Sequence, residues 1–91
     1  MAMTWQTAKD PDEVKDYMVD WTARLADDTI VTSQWIVPTG ITMDSDSSTT
    51  TSTTIWLSGG TIGDTYEFVN RVATAGGRIY DQTCKLKCKV L

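Results

Sequence analysis

Tyr17-Met18-Val19-Asp20-Trp21-Thr22-Ala23-Arg24-Leu25 is the stretch on which the fold turns. Tyr17, Val19, Trp21, Ala23 and Leu25 take every second position, and Asp16, Met18, Asp20, Thr22 and Arg24 alternate with them. A period of two puts the two sets on opposite sides of an extended chain, so the stretch reads as a strand with one buried face. A helix over residues 12–25 is the competing reading, because Asp12 and Glu13 suit a first helical turn.

The same alternation returns further along. Thr65 to Thr74 carries Tyr66, Phe68, Asn70 and Val72 on one face. Arg78 to Leu91 places Tyr80, Gln82, Cys84, Leu86, Cys88 and Val90 inward and Lys85, Lys87 and Lys89 outward. Thr29 to Val37 is rich in β-branched residues and ends at Pro38-Thr39-Gly40. Its inward set is read as Val31, Ser33, Trp35 and Val37, since a Trp between two sheets buries more area than Ile36 would. Ile41 and Met43 open a short strand, and Asp44 to Ser48 reads as a polar turn. The Thr49–Thr54 run then leads into Ile55-Trp56-Leu57, with Trp56 outward.

Ser58-Gly59-Gly60, Gly63-Asp64 and Ala75-Gly76-Gly77 are turn signals. About seven short strands, parted by turns at intervals of roughly 8–12 residues, predict an all-β sandwich. Sixteen Thr with many Val and Ile support strand formation. Residues 1–13, with Trp5 and the turn Asp10-Pro11-Asp12-Glu13, are expected to form an N-terminal arm or short first strand, and residues 14–91 the sandwich domain.

A chain of 91 residues holds one small core, and a net charge of −4 argues against nucleic acid as a partner. No apolar run long enough for a membrane span or a secretory leader appears, so synthesis in a cytoplasm is expected. With no His, a hydrolytic triad and a His-ligated metal are excluded. Asp44 and Asp46 have the acidic spacing of a calcium loop but lack its Gly and closing Glu. No metal, cofactor or enzymatic activity is expected.

Asp64, Tyr66 and Phe68 follow Leu57 with the spacing found at the corner leading into strand F of immunoglobulin-like domains, where a Tyr hydroxyl bonds back to the chain. Phe68 stands where an antibody domain has its second cysteine, so the resemblance implies a disulfide-free variant. Three further blocks resemble small phage proteins of the fiber-tail adaptor or neck type. They are Lys9-Asp10-Pro11-Asp12-Glu13-Val14 with Asp20-Trp21; Trp35-Ile36-Val37-Pro38 with Gly40; and Trp56 to Thr61 with Tyr66, Asn70-Arg71-Val72 and Gly76-Gly77-Arg78. The resemblance spans about residues 9–80. It implies an immunoglobulin-like virion component without catalysis, assembled in the bacterial host cytoplasm as a homo-oligomer with other phage structural proteins at the neck or tail. A capsid decoration or carbohydrate-binding surface domain is the alternative, with Trp56 as a stacking platform.

Candidate interface residues follow from charge and predicted exposure. Residues 10–28 hold seven acids, among them Asp10, Asp12, Glu13 and Asp16, whereas residues 78–91 are basic. Lys85, Lys87 and Lys89 read first as protection of an edge strand. A contact of that basic face with the acidic segment of the next copy, closing a ring, is the second reading. Trp5, Met18 and Trp56 are interface anchors or, after a one-residue slip, core. Cys84 and Cys88, four residues apart on a strand, lie about 13 Å from one another, too far to pair. They read as small buried hydrophobes or as an inter-subunit disulfide.

Overall fold

The computed structural model describes residues 2–90; Met1 and Leu91, the outer limits of the expected arm and domain, lie outside the described residues. The strands are β1 (Ala2–Thr4), β2 (Lys15–Asp20), β3 (Ile30–Ile36), β4 (Ile41–Ser48), β5 (Ser52–Gly59), β6 (Thr65–Thr74) and β7 (Ile79–Lys87), with one helical turn, α1 (Thr22–Leu25). They form two sheets in the orders β1-β7-β6-β3 and β2-β5-β4. Lettered in chain order from β2 as B to G, the sheets read GFC and BED, the strand order of an immunoglobulin-type sandwich, with β1 added parallel to β7. The packed sheets share one core that includes Tyr17, Trp21, Trp35, Ile55, Leu57, Phe68, Val72, Leu86 and both cysteines.

The opening stretch is a strand only as far as Asp20. The Asp20 carboxylate accepts hydrogen bonds from the Thr22 amide (3.0 Å) and hydroxyl (2.6 Å), turning the chain into α1. Trp21 and Leu25 stay buried and Ala23 is exposed, correcting its inward placement. Positions i and i+4 share a face in a helix and also share parity in a strand, so the pair satisfies both periods.

Three other expectations are corrected. A register shift between Ile30 and Thr32 turns Ile30 inward and leaves Val31 exposed. Asp44 to Ser48 is strand, not turn: its backbone pairs with β5, with Asp44 at a bulge between Met43 and Ser45. Because β4 is an edge, this half of it is exposed on both sides, and that is why its polar sequence resembles a loop. The last strand stops at Lys87, so Val90 is exposed. The inward sets of β5 and β6 are as expected, with Ile55, Leu57, Tyr66, Phe68, Asn70 and Val72 buried.

A buried polar network ties the sheets together. The Asn70 carbonyl oxygen on β6 accepts from the Trp21 indole N–H (3.0 Å) and the Thr53 hydroxyl on β5 (2.6 Å). Its amide nitrogen donates to Ser33 Oγ (3.0 Å) and Gln34 O (3.1 Å) on β3. Every hydrogen-bonding direction of this amide is used, which is what allows a polar side chain to sit fully buried.

Candidate functional site

The outer face of β2-β5-β4 presents two apolar side chains, Trp56 and Met18, among polar and acidic neighbours. Because Ile55 and Leu57 point inward, Trp56 must point out, and the residue is 41% exposed. Asp16 on β2 and Ser45 on β4 are its register partners, and Met18, 54% exposed, lies opposite Thr54 on the next outward row. Met18 is thus the diagonal neighbour of Trp56, within side-chain reach. Asp16 and Asp20 rim the face on the β2 side. Hydrogen bonds from Thr22 hold the Asp20 carboxyl below its usual range, so it stays charged. The structure therefore brings Met18, Trp56 and Asp16 together on an anionic, partly apolar surface.

The remaining candidates are arranged otherwise. Asp10, Asp12 and Glu13 form a self-contained turn: Asp10 Oδ1 accepts from the Asp12 amide (3.0 Å), and Glu13 Oε1 from the Asp10 amide (2.9 Å). Lys9 pairs with the end of β7, its amide donating to Lys87 O (3.0 Å) while Lys89 N donates to Lys9 O (3.0 Å). The acidic turn and the basic tail, far apart in sequence, thus share one end of the molecule. Lys85 forms an ion pair with Glu67 on the neighbouring strand (3.5 Å), and Lys87 and Lys89 are exposed. The edge-protection reading of these lysines is corrected, since β7 lies between β1 and β6.

Trp5 offers no surface. Its ring is in the core against Tyr17, Phe68 and Trp35, and its indole N–H donates to Met18 O (3.0 Å). Cys84 and Cys88 are both free and wholly buried, leaving no sulfur at the surface for a neighbouring copy. Burial pushes the Cys84 thiol up to about 12 and raises that of Cys88, so both stay protonated and inert.

Two residues that charge and pattern did not single out matter most at the ends. Lys9 is fully buried, and its ammonium donates to Gly59 O (2.6 Å), Asp10 O (3.0 Å) and Pro11 O (3.4 Å). A lysine beside an acidic turn is ordinarily solvated, so composition hides it. At the other end Asp28 accepts from Gly76 N (3.0 Å) and Arg78 Nη1 (2.9 Å), joining the start of β3 to the β6–β7 turn. An open recess lined by Arg24, Leu25, Asp27, Arg78 and Tyr80 lies beside it. Arg24 is committed there, its guanidinium lying over the rings of Trp21 (4.9 Å) and Tyr80 (5.0 Å).

The Tyr66 hydroxyl accepts from the Thr61 amide at 2.8 Å, the back-bond expected at the strand F corner. A Cβ at Gly40, whose φ is +100°, would come within 3.3 Å of the Tyr66 ring. The blocks Lys9–Val14, Trp35–Gly40 and Trp56–Thr61 therefore meet at one end of the molecule through Lys9–Gly59 and Gly40–Tyr66–Thr61.

A family model described as the podophage GP4 fiber-tail adaptor protein gp77 matches residues 9–87, from the buried lysine to the last residue of β7. The chain belongs to this family. No curated protein matches it. As a phage fiber-tail adaptor by family, it has a structural role and is a component of the virion that binds other phage structural proteins. The matched span takes in six of the seven strands and every residue of the Trp56 face.

Proposed function

We propose that this fiber-tail adaptor works without catalysis, as a homo-oligomer at the neck or tail, and joins fibre and tail subunits through the outer face of β2-β5-β4. The observation that carries this reading is Trp56, a large ring held partly exposed at the centre of a sheet whose other face is locked into the core. Aromatic anchors of this kind dominate protein interfaces, and rim charges such as Asp16 and Asp20 set partner choice. We place residues 14–91 as the sandwich domain, residues 1–13 as an N-terminal arm or short first strand anchored on it by Trp5 and Lys9, and assembly in the host cytoplasm. The exposed Lys87 and Lys89 supply a second, cationic contact at the Lys9 end.

The test is substitution of Trp56 to Ala in the phage genome, together with Lys87→Glu and Lys89→Glu as a separate variant. Trp56→Ala is expected to leave the melting temperature within a few degrees, given that surface changes are usually within about 0.5 kcal/mol, and to abolish co-purification with tails. The lysine reversal is expected to weaken oligomers at low salt. If Trp56→Ala particles are complete and fibre-bearing, the face has no assembly role. Loss of glycan-array binding in that variant, with assembly intact, supports a carbohydrate-binding platform instead.

A further inference from the structure

Residues 2–5 lie on the sandwich as a strip of their own. β1 makes three register pairs with β7, Ala2 with Thr83, Met3 with Cys84 and Thr4 with Lys85, and the Trp5 amide donates to Lys85 O at 2.9 Å. The Trp5 ring then enters between the sheets, its centroid 4.8 Å from Tyr17, 5.7 Å from Phe68 and 6.0 Å from Trp35. Gln6 and Thr7 form an exposed bend, after which Lys9 pins the chain again by its ammonium and both backbone groups.

The slot that receives the ring is not fully satisfied. Tyr17 and Trp35, two of its walls, are only 6% and 7% exposed, and the Tyr17 hydroxyl and Trp35 indole N–H have no hydrogen-bond partner. They are the only buried side-chain polar atoms so placed among the described residues. An orphaned group of this kind costs about 1–3 kcal/mol, so the walls of the slot, rather than Trp5 itself, whose indole N–H donates to Met18 O, are the least well-paired part of the core among the described residues.

We propose that residues 2–5 are an exchangeable arm, and that the slot formed by Tyr17, Trp35 and Phe68 takes the Trp5 of a second copy. The contacts are the same in either chain, so exchange is opposed mainly by the cost of association, which high local concentration in an assembly offsets. Lys9 stays with its own body and sets the reach: four residues span at most about 14 Å. Two copies must therefore lie side by side along β7, each lending Trp5 to the other. Asp12, Lys87 and Lys89, all exposed at the Lys9 end, give that contact a rim carrying both signs of charge. The inference concerns how copies join, and its test on purified protein is independent of the virion role.

The full-length chain with Thr4→Cys is mixed with the full-length chain with Lys85→Cys at about 1 mM, the range of effective concentrations that close neighbours supply, and oxidised gently. Cys84 and Cys88 are buried and stay silent. The expected result is a covalent heterodimer on a non-reducing gel. It should be lost when the Thr4→Cys chain also carries Trp5→Ala, and absent when the partner carries Ile79→Cys, on the same strand but six residues away. Heterodimer no more abundant than with Ile79→Cys, while the Thr4→Cys/Lys85→Cys double variant closes within one chain, overturns the proposal. Sedimentation equilibrium of the unsubstituted chain reads the same exchange without cysteines: a dimer at about 1 mM that Trp5→Ala removes supports it, and a monomer throughout overturns it.

Discussion

Asn70 is the side chain on which the core most depends. It is the only described side chain that bonds at once to the segment after β2, to β5 and to β3, and all of its partners are within 3.1 Å. Replacing it by Ala takes the acceptor from the Thr53 hydroxyl, leaves the Trp21 indole N–H with only the long bond to Thr53 Oγ1 (3.4 Å), and opens a cavity between the sheets. Asn70→Ala is therefore expected to destabilise the fold by about 3 kcal/mol or more, read from the urea midpoint. Its burial was legible, because it shares parity with Phe68 and Val72. Its role as a four-way junction was not, since the partners lie 17 to 49 residues away.

The turn between α1 and β3 carries two separable effects. Leu25 to Asp28 is closed by a hydrogen bond from Asp28 N to Leu25 O (3.0 Å), with Ala26 at φ 54° and ψ −113°. That is the position where a type II′ turn takes glycine, and an L side chain is strained there. Ala26→Gly should stabilise the protein by about 1 kcal/mol in thermal unfolding. Asp28, at the end of the same turn, has its carboxyl lowered from 3.8 to about 2, chiefly by the Thr74 hydroxyl and then by the amides of Thr29 and Gly76 and by Arg78, against the opposing effect of burial. Between those values the unfolded chain takes up a proton that the folded one refuses. The stabilisation is thus complete above about pH 4 and fades as pH falls towards 2. Asp28→Asn should flatten the stability profile across that window, leaving the smaller slope due to Asp20 and Asp81, whose carboxyls are also lowered.

Seen whole, the molecule is a sandwich whose two ends are fastened by long-range polar contacts rather than by disulfides. Lys9 reaches 50 residues along the chain to Gly59, linking the segment before β2 to the end of β5. Removing its ammonium takes this donor from Gly59 O and Pro11 O, while Asp10 O keeps the Glu13 amide, so Lys9→Ala should cost about 2 kcal/mol and speed proteolysis within residues 1–13, as limited digestion would reveal. Fastening at both ends leaves the outer sheet faces free, and this is what a connecting part of a virion requires: a stiff body with surfaces to spare. The Trp56 face belongs to that surplus. Its outward direction followed from the parity of Ile55 and Leu57, and its neighbours Asp16 and Met18 only from the pairing of β2 with β5.

Local stereochemistry accounts for what could be read along the chain. Successive side chains of a strand must point to opposite faces, so β6 declared both its extent and its buried set, β5 its buried Ile55 and Leu57 but not its end at Gly59, and β7 its buried Cys84 and Leu86 but not its end at Lys87. Nothing local distinguishes a strand at a sheet edge from a loop, a buried lysine from a solvated one, or a first strand from a free arm. β4, Lys9 and Trp5 were settled by partners distant in sequence, because only those partners supply the backbone ladder, the carbonyl cage and the aromatic slot that make each arrangement favourable.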